Sequence, residues 1–379
     1  MTAPDDVPAD SRRQWSRFWR SASGFWRGRR AWSVWSLCAA LVVIVALQLY
    51  VQYQLNYWNR DFFNALERRD GDALRTQALL LLPLCAASIA LAVTSVWGRM
   101  TMQRRWREWL TTHLIRHWLD ADRYVGLARV PGASCIPEYR IAEDARIATD
   151  APIDFALGVL SSLLTAFVFI QILWNVGGDA TLAVAGLTIR IPGYLVIGVV
   201  VYSGLITTTM LLVGAPLTRV IAHKNQAEAE LITAAHGVRD IGEGLAPAAN
   251  KGGAQQELWA ALQAALVQWR KLCWQLVRTT LVSQGNTLLA PIIGLVLCAP
   301  KFLAGAITLG ELTQAAAAFT IVQGSFGWLV DNYNRVADWA SSIDRVGTLL
   351  LALDDLDTSP VHTIEPATPR AVPVTREIR

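Results

Sequence analysis

A chain of 379 residues that is 53% hydrophobic and only 17% charged departs from the composition of a soluble globular protein, and water is not its main solvent. Its net charge of +4 comes from basic residues spread along the borders of apolar stretches and interleaved with acids, which excludes a nucleic-acid interface. The five cysteines, Cys38, Cys85, Cys135, Cys273 and Cys298, show no C-x-x-C spacing, and they read as small packing residues rather than a disulfide or metal framework.

The chain opens on an acidic and then arginine-rich stretch. Residues 12–32 set Trp15, Phe18, Trp19 and Trp26 at near-helical spacing among arginines, which predicts an interfacial helix ahead of the first span. A bilayer core about 30 Å thick needs roughly 20 apolar residues to cross as a helix. Charge-free windows of that kind run over 31–59, 76–98, 155–178, 191–218 and 279–300, and a less apolar sixth covers 312–330 beside Glu311. The first window is itself the expected anchor, with no cleavable signal peptide before it.

Lys and Arg then orient the spans, because they are retained on the cytoplasmic side of short loops. Of the 34, 28 fall in 1–30, 99–154, 219–278 and the segment after Val330; the other six are Arg60, Arg68, Arg69, Arg75, Arg190 and Lys301. Both termini are therefore expected in the cytoplasm. The inward segments 99–154 and 219–278 are too long for ordinary loops. They keep Met102, Trp106, Trp109, Leu110 and Trp118, and Leu258, Leu262, Leu266, Trp269 and Trp274, at helical spacing. Spans that continue as helices for 25 residues reach roughly 35 Å from the membrane, and such stalks suit a docking partner. The tail 354–379, with four prolines and no periodicity, reads as disordered linker. The expected fold is all-α and polytopic, with six transmembrane helices and long cytoplasmic extensions. Residues 1–30 form the cytoplasmic N-terminus, 31–353 the transporter domain and 354–379 the tail.

Five short runs carry a family likeness: WNRDFFNAL at 58–66, PEYRIAED at 137–144, QAEAE at 226–230, GAITLGELTQ at 305–314 and WLVDNY at 328–333. Together they resemble the SbmA/BacA-like transporters, whose membrane domain is related to bacterial and peroxisomal ABC half-transporters, over roughly residues 30–350. That resemblance implies an ABC-exporter-like domain, pairing of two copies, and import of bulky cargo such as peptides or cobalamin across a bacterial inner membrane. Some members fuse an ATPase after the sixth span, and others use the proton gradient. A phosphate-binding loop needs G-x-x-x-x-G-K-[ST], yet the four lysines follow His223, Asn250, Arg270 and Pro300, so no Gly-Lys pair exists. Energy is expected from a separate ATPase or from protons.

Proton coupling needs acids that change protonation between states. Glu228 and Glu230 are candidates, although the family's Q-x-x-E-A spacing is one residue shorter here. Glu311, at the outer start of the sixth helix, is a third. Residues Pro137, Glu138, Arg140, Glu143 and Asp144 fall where related transporters place a helix against the ATPase, and are candidates for docking. Asp331 and Asp338, seven apart, are candidates for an inner gate. His113 and His117 have metal-ligand spacing with no supporting acid or cysteine, so no metal or other cofactor is expected. Nothing resembles a nucleophilic triad, and an enzyme is not expected. The alternative function is a non-transporting half-transporter that scaffolds or regulates a full-length ABC partner.

Overall fold

The computed structural model describes residues 9–28, 31–120, 123–124, 137–184, 187–244, 247 and 251–358. The helices in chain order are α1 (Ala9–Arg27), α2 (Ala31–Glu67), α3 (Gly71–Leu119) and α4 (Pro137–Gly177), then α5 (Tyr194–Gly242), α6 (Lys251–Leu303), α7 (Leu309–Asp331) and α8 (Tyr333–Thr358). Between α4 and α5 lies a two-stranded antiparallel hairpin, β1 (Asp179–Val184) with β2 (Leu187–Pro192), paired from Asp179 with Pro192 to Val184 with Leu187. Prolines inside α3, α4, α5 and α6 are accommodated because membrane helices re-satisfy the freed carbonyl through neighbours and side chains.

Among the described residues five helices, α2 to α6, are long and apolar enough to cross a membrane, against the six expected. The sixth window lies in α7, and its weaker apolarity has a physical reason. Ala315, Ala318, Phe319 and Val322 are fully buried among protein neighbours, so this helix does not depend on an apolar lipid-facing surface. Its run of alanines lets α6 come close, and a Cβ on Gly294 would lie 3.0 Å from the Ala316 Cα.

The chain divides into two compact units. The larger comprises 39–99 and 154–334. Its core joins Phe169, Ile172 and Leu173 of α4, Leu195 and Val199 of α5, and Ala290 and Cys298 of α6 to the buried face of α7. At most 22% of any of the five apolar windows is buried within the chain, and for α3 none is, so most of that surface needs lipid or another subunit. Leu79, Leu82, Phe167, Leu212 and Leu281 are among the exposed apolar side chains. The hairpin is closed by two glycines at positive φ, Gly178 (49°) and Gly193 (62°), with the Gly193 N–H donating to the Gly178 carbonyl at 2.9 Å. Lys301 donates to the Gly177 carbonyl and lies 5.3 Å from the Tyr194 ring centroid.

The smaller unit comprises 1–38, 100–153 and 335–379. Met102, Trp106, Leu110 and Leu114, four apart on α3, and Ile343, Val346, Leu350 and Leu353 on α8 form its buried stripes, which Phe18 and Ala22 of α1 complete. The α1 segment, expected as an interfacial anchor, is thus also a packed part of this unit. It approaches closely where side chains are absent: Gly24 faces Trp109, and a Cβ on Gly347 would meet the Gln14 carbonyl at 2.6 Å. Arg17 clamps Asp354 through Nε (2.5 Å) and Nη2 (2.8 Å), and His117 Nε2 lies 3.1 Å from the same carboxylate. The Arg17 guanidinium holds the Asp354 carboxyl below its ordinary range. The helix carrying Asp354 continues to Thr358, past the predicted boundary at 353, and the rest of the expected tail, 359–379, lies outside the described residues, as does Cys135.

Candidate functional site

The larger unit carries a set of buried polar side chains on its membrane helices: Asn56 on α2, Thr165 on α4, Ser203 on α5, Gln275 on α6, and Gln314 and Gln323 on α7. Asn56 Nδ2 donates to the Gln314 carbonyl at 3.2 Å, and the Tyr202 hydroxyl donates to Asn286 Oδ1 at 3.0 Å. Asn56 Oδ1, Ser203 Oγ and Gln314 Nε2 have no hydrogen-bond partner among the described residues. An unpaired buried polar group costs about 1–3 kcal/mol, so amide groups left open within a bundle suit a role in meeting solute or water. The sequence alone does not single out these residues. Gln314 stood at the end of the 305–314 run, and no local spacing marked Asn56.

The acids expected to couple protons fall in different settings. Glu311 closes a reciprocal capping box at the start of α7: its Oε2 accepts from the Thr308 N–H (2.9 Å), and its own N–H donates to Thr308 Oγ1 (3.2 Å). Beside it the Leu309 N–H donates to Glu67 Oε2 (3.1 Å) and the Gly310 N–H to Asn64 Oδ1 (3.0 Å), which ties the end of α2 to the start of α7. Glu228, ten residues beyond the predicted span, accepts from Lys224 Nζ at 2.7 Å and from Trp269 Nε1 on α6 at 3.1 Å, while the ammonium sits 4.6 Å from the Trp269 ring centroid. The Lys224 hydrogen bond holds the Glu228 carboxyl below its ordinary range, opposite to the shift proton coupling near neutral pH needs. Glu230 is exposed and accepts from Gln226 Nε2 at 3.2 Å.

The docking candidates divide by direction. Glu138 is exposed, as is its neighbour Tyr139, whereas Asp144 is fully buried at the end of a π-helical turn, Arg140–Asp144. Arg345 of α8 binds Asp144 through Nε (2.9 and 3.0 Å) and Nη2 (2.6 Å), with Arg140 Nε at 3.6 Å and Ser342 Oγ at 3.4 Å. Glu143 pairs with Arg146 at 2.5 Å. Asp144 therefore anchors the segment from inside, and the Pro137–Tyr139 end faces outward. Asp331 and Asp338 are both exposed, and a turn at Asn332 breaks the helix between them, so they do not share one uninterrupted helix face. His117 is engaged by Asp354, and no group of three or more metal-ligating side chains occurs among the described residues.

A family model described as ABC transporter transmembrane region 2 matches residues 27–303. Among curated proteins, the inner membrane ABC transporter ATP-binding protein YddA of Escherichia coli is 28% identical over 322 residues, covering 81% of this chain and 55% of that protein. The ABC transporter D family member 2, chloroplastic, of Arabidopsis thaliana is 23% identical over 92% of this chain and 47% of its own length. An ABC transporter ATP-binding protein of Synechocystis is 24% identical over 86% and 47%. The chain spans about half the length of these relatives. These matches correct the SbmA/BacA-like assignment. The runs that suggested it hold capping, packing and ion-pair residues: Asn64 and Gly310, Asp144 and Arg345's pairing, and Trp328, which packs against Gly158. Such residues report helix packing, which related membrane domains share, and do not separate one branch from another.

Proposed function

With that match over most of its length, the chain belongs to the ABC transporter transmembrane region 2 family, and we propose that it is the membrane half of a bacterial inner-membrane solute transporter driven by nucleotide hydrolysis supplied from outside these 379 residues. The family module is a translocation domain and not a catalytic one. The observation that carries the reading is the pairing of two unusually long helices, α5 and α6, of 49 and 53 residues, whose extensions beyond the predicted spans are clamped by Lys224, Glu228 and Trp269. Relatives named as ATP-binding proteins, one of them of the inner membrane, support nucleotide coupling and place, and this sequence lacks any Gly-Lys pair with which to build a phosphate loop. Two copies pair across the apolar faces that the chain leaves open. Both termini are cytoplasmic, by the distribution of Lys and Arg. The cargo is a bulky solute, for which the peptide-like and cobalamin-like classes form two arms of one assay.

Topology is checked in a background without the native cysteines. A cysteine at Asp70 should react with an impermeant maleimide in intact spheroplasts, and cysteines at the exposed Tyr139 and Gln255 only after permeabilisation. Labelling of position 139 from outside would sink the orientation.

Coupling is checked by uptake of a fluorescent peptide or labelled cobalamin in cells. Glu138→Arg with Tyr139→Asp should abolish uptake while expression stays normal, and Glu228→Gln with Glu230→Gln should leave more than about half of it, since a glutamine at 228 still offers an acceptor to Trp269 Nε1 and the Lys224–Trp269 contact stays in place. A protonophore should act only as fast as ATP falls. The reverse order, with immediate protonophore block, would establish proton coupling instead.

A further inference from the structure

Near the end of α3 the smaller unit holds a histidine between a carboxylate and a guanidinium. His117 Nε2 lies 3.1 Å from Asp354 Oδ1 on α8, and on the other edge of the ring Nδ1 lies 3.1 Å from Arg123 Nη1. A guanidinium only donates, so Nδ1 carries the lone pair and Nε2 the proton, which assigns a neutral ring that gives to Asp354 and accepts from Arg123. The arrangement is mostly out of water, with the His117 side chain 20% exposed and that of Arg123 11%. The same Arg123 nitrogen donates to the His117 carbonyl at 2.7 Å, with Asp120 at 3.7 Å, and the Tyr124 ring meets Trp118 edge-on at 6.3 Å between centroids. Together these contacts hold residues 123–124 against the end of α3.

The neighbouring charges leave His117 as the group of this cluster that titrates. On α3, His113 stacks beside it, rings 6.3 Å apart and 2° from parallel, and burial, with the charges of His117, Arg17 and Arg116, pushes the His113 imidazole below its ordinary range. Arg116 and Asp120 on α3 and Asp355 on α8 are exposed. Arg17 of α1 binds Asp354 and keeps it ionised over the range in which an imidazole changes charge. A proton added at Nδ1 therefore acts oppositely on the two edges of the ring. It sets donor against donor and cation against cation at Arg123, and it turns the Asp354 contact into an ion pair. We propose that His117 is a proton-operated latch at the end of α3, which holds Arg123 when neutral and, when charged, releases it and grips Asp354 instead. The Arg123 contact is present above the titration of the ring and is lost as pH falls through it. Arg123 stands 14 residues before Pro137, so the latch gives cytoplasmic acidity a hold on the chain that leads to the exposed Pro137–Tyr139 end, a consequence that rests on the proposed orientation and coupling. The latch itself rests on neither.

The test is hydrogen exchange of the full chain in nanodiscs, read by mass spectrometry on the peptide that holds Arg123 and Tyr124 and corrected for the intrinsic effect of pH with the same peptide unfolded. In wild type its protection should fall about tenfold from about pH 7.5 to about pH 5.5, the loss of one hydrogen bond from a charged donor. Protection over the buried stripe from Trp106 to Leu114 should hold. His117→Asn keeps an acceptor for Arg123 and does not titrate, so it should show no step. Arg123→Ala should show low protection at both pH values and no step. His113→Phe, which keeps the stacked ring, should retain the step. Nitrogen-15 labelling of histidine reads the ring directly: the signal missing from His117→Asn should be that of a neutral imidazole protonated at Nε2 near neutral pH. A step that is absent from wild type, survives His117→Asn or vanishes in His113→Phe overturns the latch, as does a His117 ring already charged near neutral pH. A fall in protection shared by the buried stripe is unfolding and overturns it too. No transport enters this readout, so the proposed coupling can fail without it.

Discussion

Arg345→Ala should strongly destabilise the smaller unit, with a loss of about 3–5 kcal/mol, because it leaves a carboxylate buried without its main counter-charge. Asp144 has no exposed surface, and Arg345 supplies its three shortest contacts. What remains, Ser342 Oγ at 3.4 Å and Arg140 Nε at 3.6 Å, is too distant to replace a bidentate guanidinium. Asp144→Asn should cost less, about 1–3 kcal/mol, since the Arg345 side chain is 40% exposed and can turn to water. The double variant should cost less than the sum of the two singles, as expected for one interacting pair. Thermal unfolding in detergent, followed by the fluorescence of the tryptophans of that unit, among them the fully buried Trp106, reads the series. An Arg345→Ala protein as stable as wild type would show that Asp144 is not held as described. The same pair bears on docking, because the exposed Pro137–Tyr139 end is positioned by this buried anchor.

Gly310→Ala should be nearly as damaging, for a reason of space rather than charge. A Cβ at this position would overlap the Arg60 carbonyl oxygen and the Asn64 amide. The first is main chain of α2 and cannot rotate away, and the second is already committed to the Gly310 N–H. Overpacking of this kind costs about 1–3 kcal/mol and sometimes more, and here it also breaks the junction of α2 with α7. Gly204→Ala is the matched control, since nothing lies within 4 Å of a Cβ there and a mid-helix alanine gains about 0.5–1 kcal/mol. Folded yield by size exclusion should fall for Gly310→Ala and hold or rise for Gly204→Ala. Equal behaviour of the two would remove the close junction.

The spans were legible because lipid imposes its rule locally: twenty residues without charge suffice, whatever the partners. The capping box leaves a T-x-x-E at 308–311, yet Glu311 was expected only as a proton-coupling acid, and its hydrogen bonds are to backbone and to Thr308. The 179–192 hairpin was not, because its apolar residues blend into the following span and only Gly178 and Gly193 mark its ends. Asp144 and Arg345 stand 201 positions apart, so nothing near either announces the other. Among the candidate acids, sequence gave residue type and order along the chain. Which of them faces inward, as Asp144 does, and which outward, as Glu138 does, is decided by helices that meet only after folding.

The extensions of α5 and α6 have a mechanical consequence. From residue 218 to the end of α5 at 242 is 24 residues, an arm of about 36 Å at the usual rise of an α-helix. A tilt of about 10° at the membrane end would sweep the far tip through about 6 Å, more than one helical pitch. Two such arms braced at Lys224, Glu228 and Trp269 bend less than either alone, so a small angular change between spans is delivered as a displacement large enough to re-seat a neighbouring protein. Run in reverse under the proposed coupling, the same geometry would turn a closing motion at the tips into a few degrees of rotation of α5 and α6, trading distance for force.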